Sequence, residues 1–149
     1  MVESAGPDDA PFLADCWRAM LVELAMAPAG LQPDWRDRLS AFFAAGMRNG
    51  SQGWFVLRHP SGKIYASAGA LISETSMVHV RPASATIAGV YVSPDRRREG
   101  AARALTRACI DWARERGCEL VQLRASEPAR SLYLSLGFVP GRELILPFD

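Results

Sequence analysis

Apolar positions recur at a helical period through the first fifty residues. Phe12, Leu13, Cys16, Trp17, Met20, Leu21 and Leu24 fall three and four apart, which predicts a helix with one stripe facing inward. Asp8 or Asp9 would open it, since a carboxylate suits the electropositive start of a helix. Ala27-Pro28-Ala29-Gly30 breaks the run. Beyond Pro33 the pattern resumes with Trp35, Leu39, Phe42 and Phe43. It ends at Asn49-Gly50, a pair suited to a left-handed cap.

The period then changes. Trp54 to Leu57 reads as a strand, His59-Pro60-Ser61-Gly62 as a turn, and Lys63 to about Ile72 as the returning strand. Residues 73–85 mix polar side chains with Arg81 and Pro82 and read mainly as loop. Thr86 to Val92 is apolar on both faces, as in a covered central strand. Leu105, Ala108, Cys109, Trp112 and Ala113 predict a helix from about Gly100 to Arg116, stopped by Gly117.

Glu119 to Ala125 is the next strand. Ser126 suits the N-cap of a short helix, with Pro128 in its first turn and Gly137 past its end. Phe138 to Leu146 reads as a last strand, divisible at Pro140-Gly141. This order predicts one domain over residues 1–149, an α/β (α+β) fold with a mixed sheet and helices on both faces.

Composition narrows the function. The 149 residues include 17 Lys plus Arg and 16 Asp plus Glu, for a net charge of +1. That balance argues against nucleic acid or an anionic membrane as partner. No apolar run approaches the ~18 residues of a membrane span, and the N-terminus is acidic where a signal peptide is basic, so a cytoplasmic protein is expected. Cys16, Cys109 and Cys118 are odd in number and lack metal-ligand spacing, so neither disulfides nor a metal is expected.

Chemistry concentrates in Val90-Tyr91-Val92-Ser93-Pro94-Asp95-Arg96-Arg97-Arg98-Glu99-Gly100-Ala101-Ala102. A strand ends, and a basic loop of small residues opens a helix. Helix N-termini offer unpaired N–H groups and partial positive charge to a phosphate. Gly100, Ala101 and Ala102 keep side chains clear, while Arg96, Arg97 and Arg98 add charge at the rim. No Gly-Lys-Ser/Thr follows, which excludes a Walker loop, and the three-glycine dinucleotide fingerprint is absent.

Arg97-Arg98-Glu99-Gly100-Ala101-Ala102 resembles the R/Q-x-x-G-x-G/A signature of the GCN5-related N-acetyltransferase (GNAT) superfamily. Downstream, Ala129, Leu132, Tyr133, Gly137 and Phe138 resemble that family's A-x-x-L-Y-x-x-x-G-F motif. With the strand over 86–92 and the helix over 101–116, the resemblance covers about a third of the chain; the first 85 residues match in element order alone.

The resemblance implies a mainly antiparallel sheet with a splayed central parallel strand pair. It also implies acetyl-CoA as cosubstrate and direct transfer to a primary amine in a ternary complex. Backbone groups of Val90 and Val92 would then contact the pantetheine arm. The N–H groups of Arg97, Arg98, Glu99, Gly100, Ala101 and Ala102 would cradle the pyrophosphate. Tyr133 would be the general acid toward the departing thiolate. Ser126 would contact the pantetheine as well as cap its helix, and Arg130 faces either the phosphates or solvent. Gly89 suits a strand bulge or close packing.

The base is less legible. Several family members place a Glu on the central strand, and residues 86–92 contain no carboxylate. Glu74 and His79 are the candidates, with backbone carbonyls and water as alternatives. The cysteines have no His at motif spacing and carry no nucleophile role.

Acceptor specificity in this family comes from the first two helices and the 73–85 segment. Trp17, Trp35 and Phe43 either line that side or pack as core. A small-molecule amine is expected over a protein or peptide amine. A non-catalytic acyl-CoA-binding module is the reading from another class, and homodimerisation is common in the family.

Overall fold

The structure, a computed structural model, describes residues 1–24, 31–75, 78, 80 and 82–148, and of residues 74, 75, 82 and 83 the backbone alone. Five strands form one sheet in the order β1-β2-β3-β4-β5: Glu3–Ser4, Gln52–Arg58, Ile64–Thr75, Pro82–Val92 and Leu120–Gln122. Neighbours are antiparallel except β4 and β5, which run parallel. Helices α1 (Ala10–Glu23) and α2 (Trp35–Asn49) precede β2, α3 (Ala101–Glu115) connects β4 to β5, and α4 (Arg130–Ser135) follows. This is the mixed, mainly antiparallel sheet expected.

Two hydrophobic layers sandwich the sheet. On one face α1 buries Leu13, Ala14 and Cys16, and α2 buries Phe43 and Ala44, against Trp54 and Val56 of β2. Phe43 and Trp54 meet at a ring separation of 4.4 Å. Truncating Phe43 to Ala would cost about 3–5 kcal/mol by transfer and cavity terms together. The Trp54 indole N–H donates to Gln52 Oε1 at 2.9 Å, and Gln52 donates to the Phe42 carbonyl, so these buried polar atoms are satisfied.

On the other face, Ala66, Ala68 and Ala70 of β3 form a row of small side chains under Leu105 and Cys109 of α3. Helix α2 ends at Gly50 with φ +79°, the left-handed cap its sequence predicts.

Several expectations are corrected. Among the described residues of 73–85 most are strand: β3 runs to Thr75, and the ladder pairs Glu74 with Ser84 and Thr75 with Pro82. The pattern hid this because the strand ends are polar. Ser73 and Ser84 hydroxyls lie 3.1 Å apart, and Gln122 of β5 reaches Ser73 and Thr86. Pro82 takes the first position of its strand, where a missing N–H is tolerated.

The strand expected over 119–125 shrinks to Leu120–Gln122, because β4 and β5 diverge. The strand expected over 138–146 does not form: residues 138–148 have no ladder partner among the described residues. Neither Asp8 nor Asp9 caps α1 through its side chain. Asp9 instead accepts from the Gly6 N–H at 2.9 Å and from Arg58 at 2.8 Å. Phe12, Leu24 and Phe42, expected inside, are exposed.

Candidate functional site

Strand β4 carries the first feature. Ser67 pairs with Tyr91 and Gly69 with Ala88, so two steps on β3 oppose three on β4. The extra residue is a bulge at Gly89 and Val90, with Gly89 at φ +65°. A bulge reverses which face later residues occupy. Ile87, Val90 and Val92 accordingly pack toward α3, and Tyr91 packs toward α1 and α2.

Bulge and close packing operate together at this glycine. A Cβ on Gly89 would come within 2.9 Å of the Trp54 ring and 3.0 Å of Trp17. The Ser67 hydroxyl donates to the Gly89 carbonyl at 3.1 Å and holds the kink.

The parallel pairing of β4 with β5 covers Ser84–Leu120, Ala85–Val121 and Thr86–Gln122, and stops there. From Ile87 to Val92 no described strand pairs with β4 on that side, which is the splay expected of the central pair. The backbone of Val90 and Val92 lies along this opening. One acceptor is already engaged: the Val92 carbonyl receives Arg97 Nε at 2.9 Å.

The loop after β4 builds the second feature. A single turn of 3₁₀ helix, Pro94–Arg96, leads to Arg97 in extended conformation. Arg98 (φ +66°) and Gly100 (φ +81°) are both left-handed and open α3. Such a turn directs successive N–H groups into a concavity suited to an anion. The first helical bond is donated by Ala104 to the Gly100 carbonyl. The N–H groups of Ala101, Ala102 and Arg103 therefore have no acceptor within the helix. Nothing lies within 4 Å of a Cβ built on Gly100, so the approach is open.

The three arginines have distinct placements. Arg96 lies 4.1 Å over the Tyr65 ring, with Nη1 3.1 Å from His59 Nδ1 and Nε donating to Glu99 at 3.2 Å. It ties the loop to the β2–β3 turn. Arg97 bonds the Val92 carbonyl and the Glu23 carboxylate. Arg98 is exposed and has no ion-pair partner among the described residues. Its guanidinium is the one of the three left open to a phosphate.

Helix α4 closes this side. Tyr133 is its buried residue, 7% exposed, with its ring edge-on to Phe138 at 5.8 Å. Burial, with a smaller contribution from nearby Cys109, pushes the Tyr133 phenol above the usual tyrosine range. Arg103 of α3 donates to Ser135 Oγ at 2.7 Å, joining α4 to the helix that starts at the anion loop.

Ser126 precedes a 3₁₀ turn, Glu127–Ala129, without a side-chain capping bond. Its expected capping role is therefore not filled by the hydroxyl. Arg130 is exposed at the start of α4. Glu74 lies on β3 opposite Ser84, and its side chain is outside the described residues, as is all of His79. Cys109 is buried, its thiol pushed up to about 12 by desolvation, which leaves it inert as a nucleophile.

Two residues near the cleft were not legible as site residues in the sequence. Glu23 ends α1 and reaches Arg97, a pairing that no spacing across 74 residues can announce. Tyr91 faces α1 beside Glu23; burial first, then that carboxylate, raises its phenol pKa. Among the described residues there is no cluster of three His, Cys, Asp or Glu fit for a metal, and no helix long and apolar enough to cross a membrane.

Solved structures share this arrangement. A predicted acetyltransferase from Clostridium acetobutylicum, crystallised with acetyl-CoA, superposes with a TM-score of 0.85 at 19% identity, over 99% of this chain and 95% of that one. A GCN5-related N-acetyltransferase from Ralstonia eutropha gives 0.79 at 23% identity, over 99% and 97%. A Trypanosoma brucei acetyltransferase gives 0.70 at 25% identity, over 100% and 98%. No protein of curated function matches the sequence. The model of the Acetyltransferase (GNAT) family matches residues 16–138, from within α1, through the bulge and anion loop, to the end of the Tyr133 motif. A match of that extent settles the relationship: the chain belongs to the GNAT acetyltransferase family.

Proposed function

We propose that this protein is an acetyl-CoA-dependent N-acetyltransferase that moves an acetyl group to the primary amine of a small molecule. The observation that carries the reading is the left-handed Arg98–Gly100 turn at the start of α3, after the stretch of β4 that no described strand pairs on its β5 side. The turn suits a pyrophosphate, and the strand edge suits the amide groups of a pantetheine arm. The Clostridium acetobutylicum relative, crystallised with acetyl-CoA, supports the same donor.

In the proposed step the amine nitrogen attacks the thioester carbonyl carbon. A C–N bond forms and the C–S bond breaks. The CoA sulfur leaves as thiolate and takes the phenolic proton of Tyr133, which burial keeps protonated. The amine proton passes to a base, for which Glu74 and His79 are the residues to test by Glu74→Gln and His79→Gln. The N–H groups of Arg97 to Ala102 and the Arg98 side chain hold the phosphates, with Arg130 and Ser126 on the α4 side.

Calorimetric titration with acetyl-CoA tests the donor site in the wild type and in Gly100→Glu. That variant places charge and a strained φ in the loop, where no protein atom is displaced. Micromolar binding to the wild type, weakened at least about tenfold in the folded variant, is the expected result. Absence of wild-type binding would overturn the reading. Binding without acetyl transfer to any amine or peptide would favour the non-catalytic module. Transfer to peptides alone would favour a protein or peptide N-acetyltransferase.

A further inference from the structure

A cavity of about 400 Å³ lies between α1 and α2, walled by Trp17, Leu21, Trp35, Leu39 and Phe42. Its size and apolar lining are those of a small-molecule site. Trp17 connects it to the cleft. The indole packs on Phe43 and Trp54 (ring separations 5.6 and 6.3 Å) and borders the bulge at Gly89. One side chain thus lies between the cavity and the β4 bulge, three residues past the last β4–β5 pair. Phe42, 54% exposed, would gain burial from a ligand ring beside it.

Charge narrows the occupant further. Two arginines line the cavity. Arg38 is held by Asp34 at 2.9 Å. Arg18 stands 6.0 Å over the Trp35 ring and makes no ion pair among the described residues. The cavity therefore presents aromatic walls and one uncompensated cation.

We propose that this cavity seats the apolar body of the acceptor and that Arg18 pairs with its carboxylate. The substrate class is then aromatic or bulky apolar amino acids and closely related amine carboxylates. The inference rests on the acetyl transfer proposed above and adds what that reading leaves open. Polyamines fit poorly, because their second ammonium would face Arg18. Amino sugars fit poorly, because beyond Arg18, Gln32 and Arg38 the walls are apolar and leave most of their hydroxyls without partners.

The test is an acetylation panel of phenylalanine, tryptophan, phenethylamine, glucosamine 6-phosphate and spermidine, with wild type and Arg18→Gln. Calorimetry with acetyl-CoA is run on both proteins. Phenylalanine and tryptophan should have the highest kcat/KM. Arg18→Gln should lower the ratio of phenylalanine to phenethylamine about fivefold, the scale of a partly exposed ion pair. Quenching of the protein's tryptophan fluorescence by phenylalanine, weakened in the variant, reports occupancy without turnover.

A preference for spermidine or glucosamine 6-phosphate, or a ratio unchanged in a folded Arg18→Gln, would overturn the proposal. So would acetyl-CoA binding with no turnover of the two amino acids; in that case the donor site stands alone. Failure of acetyl-CoA itself to bind would instead overturn the functional reading, and this proposal with it.

Discussion

Arg97 donates to both carboxylate oxygens of Glu23, at 2.6 Å each, and so joins the anion loop to the last residue of α1. The same guanidinium bonds the Val92 carbonyl through Nε. One side chain thus links α1, the end of the splayed strand and the loop that opens α3. The pair is 43% and 40% exposed, so its contribution to stability is small, about 1 kcal/mol or less. Its importance is electrostatic. A carboxylate standing this close to the expected phosphate site opposes a polyanion.

Glu23→Gln keeps the shape of that contact and removes the charge. Acetyl-CoA should bind about twofold to fivefold more tightly, and the gain should shrink at high salt. Calorimetry at two ionic strengths checks this. Weaker binding would mean instead that the pair holds the loop in its binding geometry.

Gly89→Ala tests the bulge. The new Cβ meets Trp54 and Trp17 at 2.9–3.0 Å, and the residue must keep a positive φ. Left-handed strain of about 1–2 kcal/mol adds to an overpacking cost of about 1–3 kcal/mol. Denaturant unfolding should show a loss of roughly 2–5 kcal/mol.

Tyr133→Phe keeps the ring that packs on Phe138 and removes the proton donor. The expected result is a fall in kcat of about a hundredfold with acetyl-CoA affinity unchanged. Burial, the larger cause, raises the Tyr133 pKa above its ordinary value of 10.0. The sign follows from linkage: the folded state holds this proton more tightly. Its contribution to stability is present below the unfolded pKa and is lost as pH rises through the folded one. Neither the rate nor the fold should therefore decline on account of Tyr133 below about pH 10. A wild-type loss of kcat near pH 8 that Tyr133→Phe abolishes would contradict this.

The C-terminal segment makes a separate prediction. Leu144 is 96% exposed and Phe148 89%, and the segment beyond Phe138 joins no strand. Among the described residues a marginal 4.0 Å pair between Arg124 and Glu143 connects it to the fold. A chain ending before Val139 should unfold at the same denaturant midpoint as the full chain, because little buried area is lost. An exposed, apolar, strand-favouring segment promotes pairing between copies. Light scattering should show concentration-dependent dimers for the full chain and fewer for the truncated one. Equal self-association of both would place any dimer contact elsewhere.

Much of the fold is legible without coordinates, because burial imposes a period on the residues it selects. The stripe from Leu13 to Leu21 and the alternation broken at His59–Gly62 each report one local environment. The loop that opens α3 is legible for a related reason. Gly100 and the alanines after it form one contiguous run, so the helix start they make can be read from neighbours in sequence.

What tertiary structure decided lies between segments distant in the chain. Strand ends at Ser73 and Ser84 are stabilised by side-chain hydrogen bonds across strands, which leave no apolar signature. A strand-like composition over 138–146 cannot form a strand without an edge to pair with. Only the packing of α1 and α2 onto the sheet shows that Phe43 is core while Trp17 and Trp35 line a cavity. Only the meeting of α1 with the loop that opens α3 commits Arg97 to Glu23 and leaves Arg98 open. Hydrophobic period records whether a residue is buried; which charge it meets depends on three-dimensional contact between elements, and no local pattern encodes that.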